Sequence, residues 1–318
     1  MKILLTGVHG FVGSNLVKYL APANEIYGLD IIAPEKEGVV KTYSWDDIDK
    51  DIVPEIDAII HLAGKAHDTK NQADAEVYFK VNRDLTIKMF DYFCAHPGIK
   101  KFVFFSTAKA AADKVEGVLT EDVVPAPVGP YGESKIAAEK YILEKMEIAG
   151  QAGNDASDKR VYIFRPCMIH GPGNKGNLNL LYNVVKKGIP WPLGAFDNRR
   201  TFTSVENICF AVNGVLTKDV PSGIYNMGDD EALSTNELIE EICKSLGKKP
   251  HIWRLPKGLM NGVAKVGGWL HLPLNPERLR KLTENYISSN EKIKKALGVE
   301  RMPVDAKEGL KVTLESFK

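Results

Sequence analysis

The sequence predicts an α/β fold: a doubly wound parallel sheet with a smaller C-terminal substrate-binding region. Three observations carry this. Apolar runs of strand length alternate with helical stretches, and the runs are apolar on both faces, as buried parallel strands are. The first run leads directly into a glycine-rich turn. Beyond Arg165 the alternation gives way to loops punctuated by Gly and Pro.

Residues 2–6 form the first strand, and Gly7-Val8-His9-Gly10-Phe11-Val12-Gly13 follows at once. Residues 14–20 then read as a helix with Leu16, Val17 and Leu20 turned inward. Strand, glycines, helix is the context of a Rossmann-type dinucleotide fingerprint. Gly7 permits the tight turn, Gly10 lets a pyrophosphate approach the backbone, and Gly13 lets helix and strand pack closely. The helix start, with Phe11 and Val12, faces the phosphates with unpaired N–H groups. The second strand, residues 25–29, ends at Asp30, seventeen residues after Gly13. An acid there hydrogen-bonds the adenosine ribose and repels a 2′-phosphate. No Arg or Lys adjoins it, only Ile31, Ile32 and Ala33, so the expected cofactor is NAD rather than NADP.

Further strands are expected over 57–62, 101–106 and 160–164, with helices over 73–94 and 131–149. Residues 151–159 read as a mobile polar surface loop without chemistry. In the C-terminal part, Gly171-Pro172-Gly173-Asn174-Lys175-Gly176-Asn177 forms a loop, and Pro190, Pro192 and Gly194 punctuate another. Ser234-Thr235-Asn236-Glu237 is a capping box before the amphipathic Leu238, Ile239, Ile242 and Leu246. The expected division is a cofactor domain over 1–169, rejoined by a strand and helix around 201–228, and a substrate-binding region over 170–200 and 229–318.

Composition restricts the function. A net charge of +1 over 318 residues gives no reason to expect nucleic acid or membrane attraction. Cys94, Cys167, Cys209 and Cys243 are scattered, with no C-x-x-C pair, and read as reduced, buried residues of a cytosolic protein. Seven histidines show no ligand spacing, so no metal is expected. The first strand leaves no room for a signal peptide, which points to a cytoplasmic protein. The most apolar stretch, residues 258–274, contains Lys265 and His271 and several glycines; it reads as a packed or groove-lining helix, and no membrane span is expected.

Tyr131 and Lys135 open the helix over 131–149, four residues apart and therefore on one face. A cation beside a phenol favours the phenolate, so the expectation is a lowered Tyr131 pKa and a general base near neutral pH.

In order along the chain stand Gly7, Gly10 and Gly13; Asp30; Asp57 with His61-Leu62-Ala63-Gly64; Asn82; Ser106-Thr107; Tyr131 with Lys135; Arg165-Pro166; and Arg200-Thr201-Phe202-Thr203-Ser204-Val205. This ordered set covers nearly the whole length and resembles the extended short-chain dehydrogenase/reductase family, the nucleotide-sugar epimerases and dehydratases. The resemblance implies that Thr107 hydrogen-bonds the sugar oxygen being oxidised, that Tyr131 exchanges its proton, and that Lys135 holds the nicotinamide ribose. It implies cofactor contacts at Leu62, Ala63, Gly64, Asn82 and Ser106, and an adenine frame at Asp47 and Ile48. Asn177 matches a position that contacts the sugar nucleotide. Arg200 matches an arginine that grips the diphosphate, with Arg278 or Arg280 as the second.

Sugar 4,6-dehydratases of the family follow the strand threonine with Asp-Glu; here those positions are Ala108 and Lys109, which argues against dehydration. The resemblance implies a homodimer and a 4-epimerase acting on a UDP-hexose or UDP-N-acetylhexosamine, similar to UDP-glucose and UDP-N-acetylglucosamine 4-epimerases. The C-terminal half is also similar to reductases of UDP-4-keto-6-deoxy-N-acetylhexosamines in surface-polysaccharide synthesis. A non-catalytic NAD-sensing relative is a third class, against which the retained Tyr-Lys pair weighs.

Overall fold

A computed structural model describes residues 1–66, 74–151, 158–270 and 274–318. Most of the expected loop over 151–159, the first residue of the expected helix over 73–94, and residues 271–273 of the stretch 258–274 lie outside the described residues. Seven strands form one sheet: β1 (Lys2–Thr6), β2 (Glu25–Leu29), β3 (Lys41–Tyr43), β4 (Ala58–His61), β5 (Lys101–Phe105), β6 (Arg160–Pro166) and β7 (Gly223–Met227). Their spatial order is β3-β2-β1-β4-β5-β6-β7 and every neighbouring pair is parallel. The expected doubly wound sheet is therefore what forms. Its order reverses between β1 and β4, which opens a crevice at their C-terminal ends, where such folds bind ligands.

Strand periodicity sorts the core. Ile3 and Leu5 of β1 point to one face, packing with Leu16 and Val17 of α1 (Phe11–Leu20) and with Ile208 and Val212 of a later helix, Val205–Thr217. Leu4, Ile59, Phe102 and Phe104 point to the other, against Met89, Phe90 and Phe93 of α2 (Leu85–Ala95) and Ala138 and Ile142 of α3 (Pro130–Gln151). Burying each such side chain stabilises by about 1.5–3 kcal/mol, so the sheet is held from both sides.

The expected helix over 73–94 is interrupted. Between Ala75–Tyr78 and α2 the chain runs as a π-helix, Phe79–Asp84, which carries Asn82. π-turns recur at functional sites because the extra residue re-aims side chains. Met89, Phe90, Phe93, Ile136 and Ile142 on these helical stretches are buried in the chain's own core. Cys94 is exposed and Cys167 half-buried, against the expectation that all four cysteines are buried.

Past β6, a separate core gathers Leu178, Tyr182, Leu238, Ile239, Ile242 and Leu310. The expected capping box forms: the Glu237 N–H donates to Ser234 Oγ at 3.1 Å and the Ser234 N–H to Glu237 at 2.8 Å, opening helix Thr235–Ser245. Helices Lys257–Trp269 and Pro276–Thr283 bury Met260, Ala264 and Leu279 with Leu193. Asp229 clasps this part to the sheet, accepting from the Ser204 N–H and hydroxyl and from Asn207 at 2.7–3.1 Å. Among the described residues no helix is long and apolar enough to cross a membrane.

Candidate active site

The glycine turn leaves β1 with Gly7 at φ +69°, a conformation that favours glycine. A Cβ on Gly13 would lie 2.3 Å from the Gly7 carbonyl oxygen, an impossible contact with backbone. The turn therefore requires both residues. No side chain caps α1 and its first turn holds no acid, so its N–H groups and dipole face the crevice with nothing competing for them. A dinucleotide pyrophosphate fits this site on those grounds. Asp30 stands at the end of β2 beside the turn; its carboxylate accepts the His9 N–H at 3.0 Å and the Ile31 N–H at 2.8 Å.

The wall across the crevice is fixed by a chain of buried hydrogen bonds. Thr6 Oγ1 accepts from the Leu62 and Ala63 N–H groups at 3.0 and 2.9 Å, so its own proton goes to His61 Nδ1, 2.8 Å away. That assigns the His61 proton to Nε2, which donates to Thr86 Oγ1 at 3.0 Å, and Thr86 in turn donates to the Asn82 carbonyl at 2.7 Å. Burial pushes the His61 pKa down to about 3, with the Lys135 charge adding to the shift. The ring is neutral.

Asn82 does similar work one layer out. Its Oδ1 accepts the Lys65 N–H at 2.7 Å, while its Nδ2 donates to the Lys65 carbonyl at 3.1 Å and to Ser134 Oγ at 3.0 Å. One amide thus ties the loop after β4 to α3. A Cβ on Gly64 would meet Asn82 Oδ1 at 3.0 Å and Lys135 Nζ at 3.1 Å, which explains a glycine between them.

Tyr131, Lys135 and Glu139 follow one another at four-residue intervals along α3. Lys135 Nζ donates to the Phe105 carbonyl at 2.8 Å, and burial lowers its pKa to about 8, with Glu139 opposing. Thr107 caps the short helix Ala108–Ala111 and hydrogen-bonds the Tyr131 phenol. The expectation that Lys135 lowers the Tyr131 pKa is corrected. Burial raises it, the Thr107 bond opposes, and the neighbouring Tyr78, whose ring is 6.4 Å away, raises it further. The ammonium is drawn to the Phe105 carbonyl instead. Behind these groups Ser106 donates to Glu139, which also takes Arg165 Nε at 3.1 Å and Nη2 at 2.5 Å in a fully buried ion pair.

A cavity of about 510 Å³ joins these parts. It is lined by Gly7, Gly10, Phe11, Val12, Gly13, Leu62, Gly64, Ser106, Thr107, Tyr131, Lys135, Asn177 and Arg200 among the residues the sequence singled out. Arg200 is pinned from outside: Nε donates to the Glu284 carbonyl at 3.3 Å, Nη2 to the Lys281 carbonyl, and the Glu284 carboxylate lies 3.6 Å away. Burial lowers its pKa, against the pull of Glu284.

Asp30, Ala63, Asn82, Asp47, Ile48, Arg278 and Arg280 do not line the cavity. Asp47 accepts from the Ser44 N–H and hydroxyl in a capping box, and Ile48 is buried in the core. Arg278 and Arg280 ride on the helix whose end holds Arg200. Sequence reasoning missed Glu284 and Tyr286, which line the cavity from an irregular segment bearing no motif, and Cys167 and Met168, which directly follow Arg165-Pro166. Lys109, where a dehydratase would place a carboxylate, donates to Asp113 at 2.9 Å and lies 4.8 Å from the centre of the Tyr286 ring.

Residues 3–228 match the NAD dependent epimerase/dehydratase family. The chain belongs to it. Within the wider set of relatives, a UDP-glucose 4-epimerase of Vibrio cholerae is 31% identical over 275 residues, 80% of this chain and 78% of that protein. A GDP-6-deoxy-D-mannose reductase of Pseudomonas aeruginosa is 27% identical over 250 residues, 75% of this chain and 78% of that one. The solved structure of a UDP-glucuronic acid 4-epimerase from Bacillus cereus in complex with NAD aligns with a TM-score of 0.73 at 21% identity, covering 100% of this chain and 98% of the other. That last likeness is one of fold.

Proposed function

We propose that this family member is an NAD-dependent nucleotide-sugar 4-epimerase acting on a UDP-hexose or UDP-N-acetylhexosamine. The observation that carries the reading is the placing of the Thr107–Tyr131–Lys135 group in the same cavity as the glycine turn. NAD, when bound at that turn, supplies the hydride acceptor. Thr107 orients the C4 hydroxyl and Tyr131 takes its proton as C4 becomes a carbonyl. Lys135 holds the nicotinamide ribose. After the keto sugar turns over, Tyr131 would return the proton to the C4 oxygen; bound NAD would supply both the taking and the return of hydride. Arg200 holds the nucleotide diphosphate, Asn177 contacts the sugar nucleotide, and Asp30 favours NAD over its 2′-phosphorylated form by like-charge repulsion.

In this reading residues 1–169, with 201–228, carry the cofactor, and 170–200 with 229–318 carry the sugar nucleotide. Val77, Phe79, Val81 and Met146, which keep exposed surface on two helical segments, would join two copies in a homodimer. The name of the Pseudomonas relative favours a second reading, a reductase of 4-keto nucleotide sugars. The test is to incubate the protein with UDP-glucose, UDP-galactose and their N-acetyl counterparts without added reductant. The expected result is interconversion at C4 with no net change in NADH absorbance. Stoichiometric oxidation of NADH or NADPH by a 4-keto sugar, with no epimer formed from any of the four, would move the assignment to the reductase.

A further inference from the structure

Helix Lys257–Trp269 has an apolar face that packs and another that does not. Met260 and Ala264 are buried with Leu193 and Leu279. Leu259, Val263, Val266 and Leu270 recur at intervals of four, three and four, which stacks them on a single side of the helix. That side is bare, with exposures of 54, 46, 54 and 52%. Trp269, at the last helical residue, is 80% exposed, and Trp253 just before the helix 55%. Singly scattered apolar residues are normal on a protein surface, whereas a continuous apolar face marks an interaction site.

The surrounding charge selects the partner. Residues 248–283 contain eight of the chain's 42 Lys and Arg and only one of its 41 Asp and Glu, Glu277. The whole chain is nearly neutral at +1, so this segment is far more basic than the rest of the chain. Lys257 and Lys265 are exposed on the helix itself, Lys248, Lys249 and Arg254 before it, and Lys281 after it. A second copy seated here would bring the same cations against each other. An anionic bilayer satisfies both features: lysines are drawn to its surface, leucines and valines enter beneath the headgroups, and tryptophan favours that depth. The helix is only 13 residues long, far short of a span, so the contact is peripheral.

We propose that helix Lys257–Trp269 is a membrane-surface anchor that lays Leu259, Val263, Val266, Leu270 and Trp269 into the interface of an anionic leaflet. The anchor adjoins the cavity, because the last turn of the helix packed against it, Pro276–Thr283, supplies the Lys281 carbonyl that receives Arg200.

The test uses the full chain and vesicles, with no substrate, so it stands apart from the assigned reaction. Vesicles of phosphatidylcholine alone are compared with vesicles containing about 30% phosphatidylglycerol, by co-sedimentation and tryptophan emission. Anionic vesicles should bind the protein roughly tenfold or more tightly than neutral ones, with a blue shift in emission, and high salt should release it. A Lys257→Glu/Lys265→Glu variant and a Leu259→Ser/Val263→Ser/Val266→Ser variant should each lose binding by about tenfold or more with unchanged thermal melting. Failure of the wild type to bind anionic vesicles, or undiminished binding by either variant, would overturn the proposal. So would a change of the serine variant from dimer to monomer in light scattering, which would make the face a subunit contact.

Discussion

Acidification should destabilise this protein through His61 before its carboxylates titrate. The ring is fully buried, and both of its nitrogens are already committed: Nδ1 accepts from Thr6 and Nε2 donates to Thr86. A proton on Nδ1 would face a Thr6 oxygen that already accepts two backbone N–H groups. The pKa accordingly falls from 6.5 to about 3 on folding. A folded-state value below the unfolded one means that the fold favours the neutral ring. This stabilisation is present in full above pH 6.5 and is lost as pH falls toward 3. One pKa unit is about 1.4 kcal/mol, so going from about pH 7.5 to about pH 5 should remove about 2 kcal/mol. For a chain of 318 residues that lowers the melting temperature by about 3 °C. Urea titrations of wild type and His61→Asn across this range measure the effect. The variant starts lower, since Thr86 loses its donor, but its stability should depend less on pH by that amount. Equal slopes in the two proteins would refute the argument.

Other substitutions test the site directly. Tyr131→Phe should lower turnover roughly 100-fold or more, the scale of acid–base catalysis, with melting unchanged; a variant retaining half the wild-type rate would remove the phenol from the mechanism. Lys135→Ala should weaken NAD binding as well as turnover, read by cofactor titration and steady-state kinetics. Gly13→Ala sets a Cβ 2.3 Å from the Gly7 oxygen and should abolish NAD binding in calorimetry, because backbone must move to relieve it. Arg200→Ala should raise KM for the sugar nucleotide about tenfold or more with kcat much less affected, the signature of lost ground-state binding.

Much of the fold was legible because its evidence is local. β1, β4 and β5 are apolar but for their end residues, the glycines stand between strand and helix, and Ser234 stands three residues before Glu237. What was not legible depends on contacts between distant segments. Nothing in Phe79-Lys80-Val81-Asn82-Arg83-Asp84 distinguishes a π-turn from an α-turn; the bonds of Asn82 to Lys65 and Ser134 accompany it. Four-residue spacing correctly put Tyr131 and Lys135 on one side of α3 but could not reveal that the Phe105 carbonyl captures the ammonium. Arg200 takes its partners from some 80 positions away. Asp47 was readable: Ser44 three residues earlier makes it a capping-box acid, a signal that competes with an adenine contact. Whole-chain charge likewise concealed the basic surroundings of Lys257–Trp269.

The buried pair of Arg165 and Glu139 sets the height of α3 over the sheet. Greasy contacts such as those of Ala138 and Ile142 tolerate sliding, since one methyl is much like the next. A guanidinium 2.5 Å from a carboxylate does not. Advancing α3 by one residue is a shift of about 1.5 Å, enough to part the ions and leave two charges stranded in a dry interior, at about 3–5 kcal/mol. Glu139 shares its helical file with Tyr131 and Lys135, so the pin that holds the carboxylate over β6 also fixes how far the phenol stands above the ends of the strands. Replacing both ions with well-fitted apolar side chains would leave the helix folded and free to settle elsewhere, and the enzyme would lose its aim before it lost its stability.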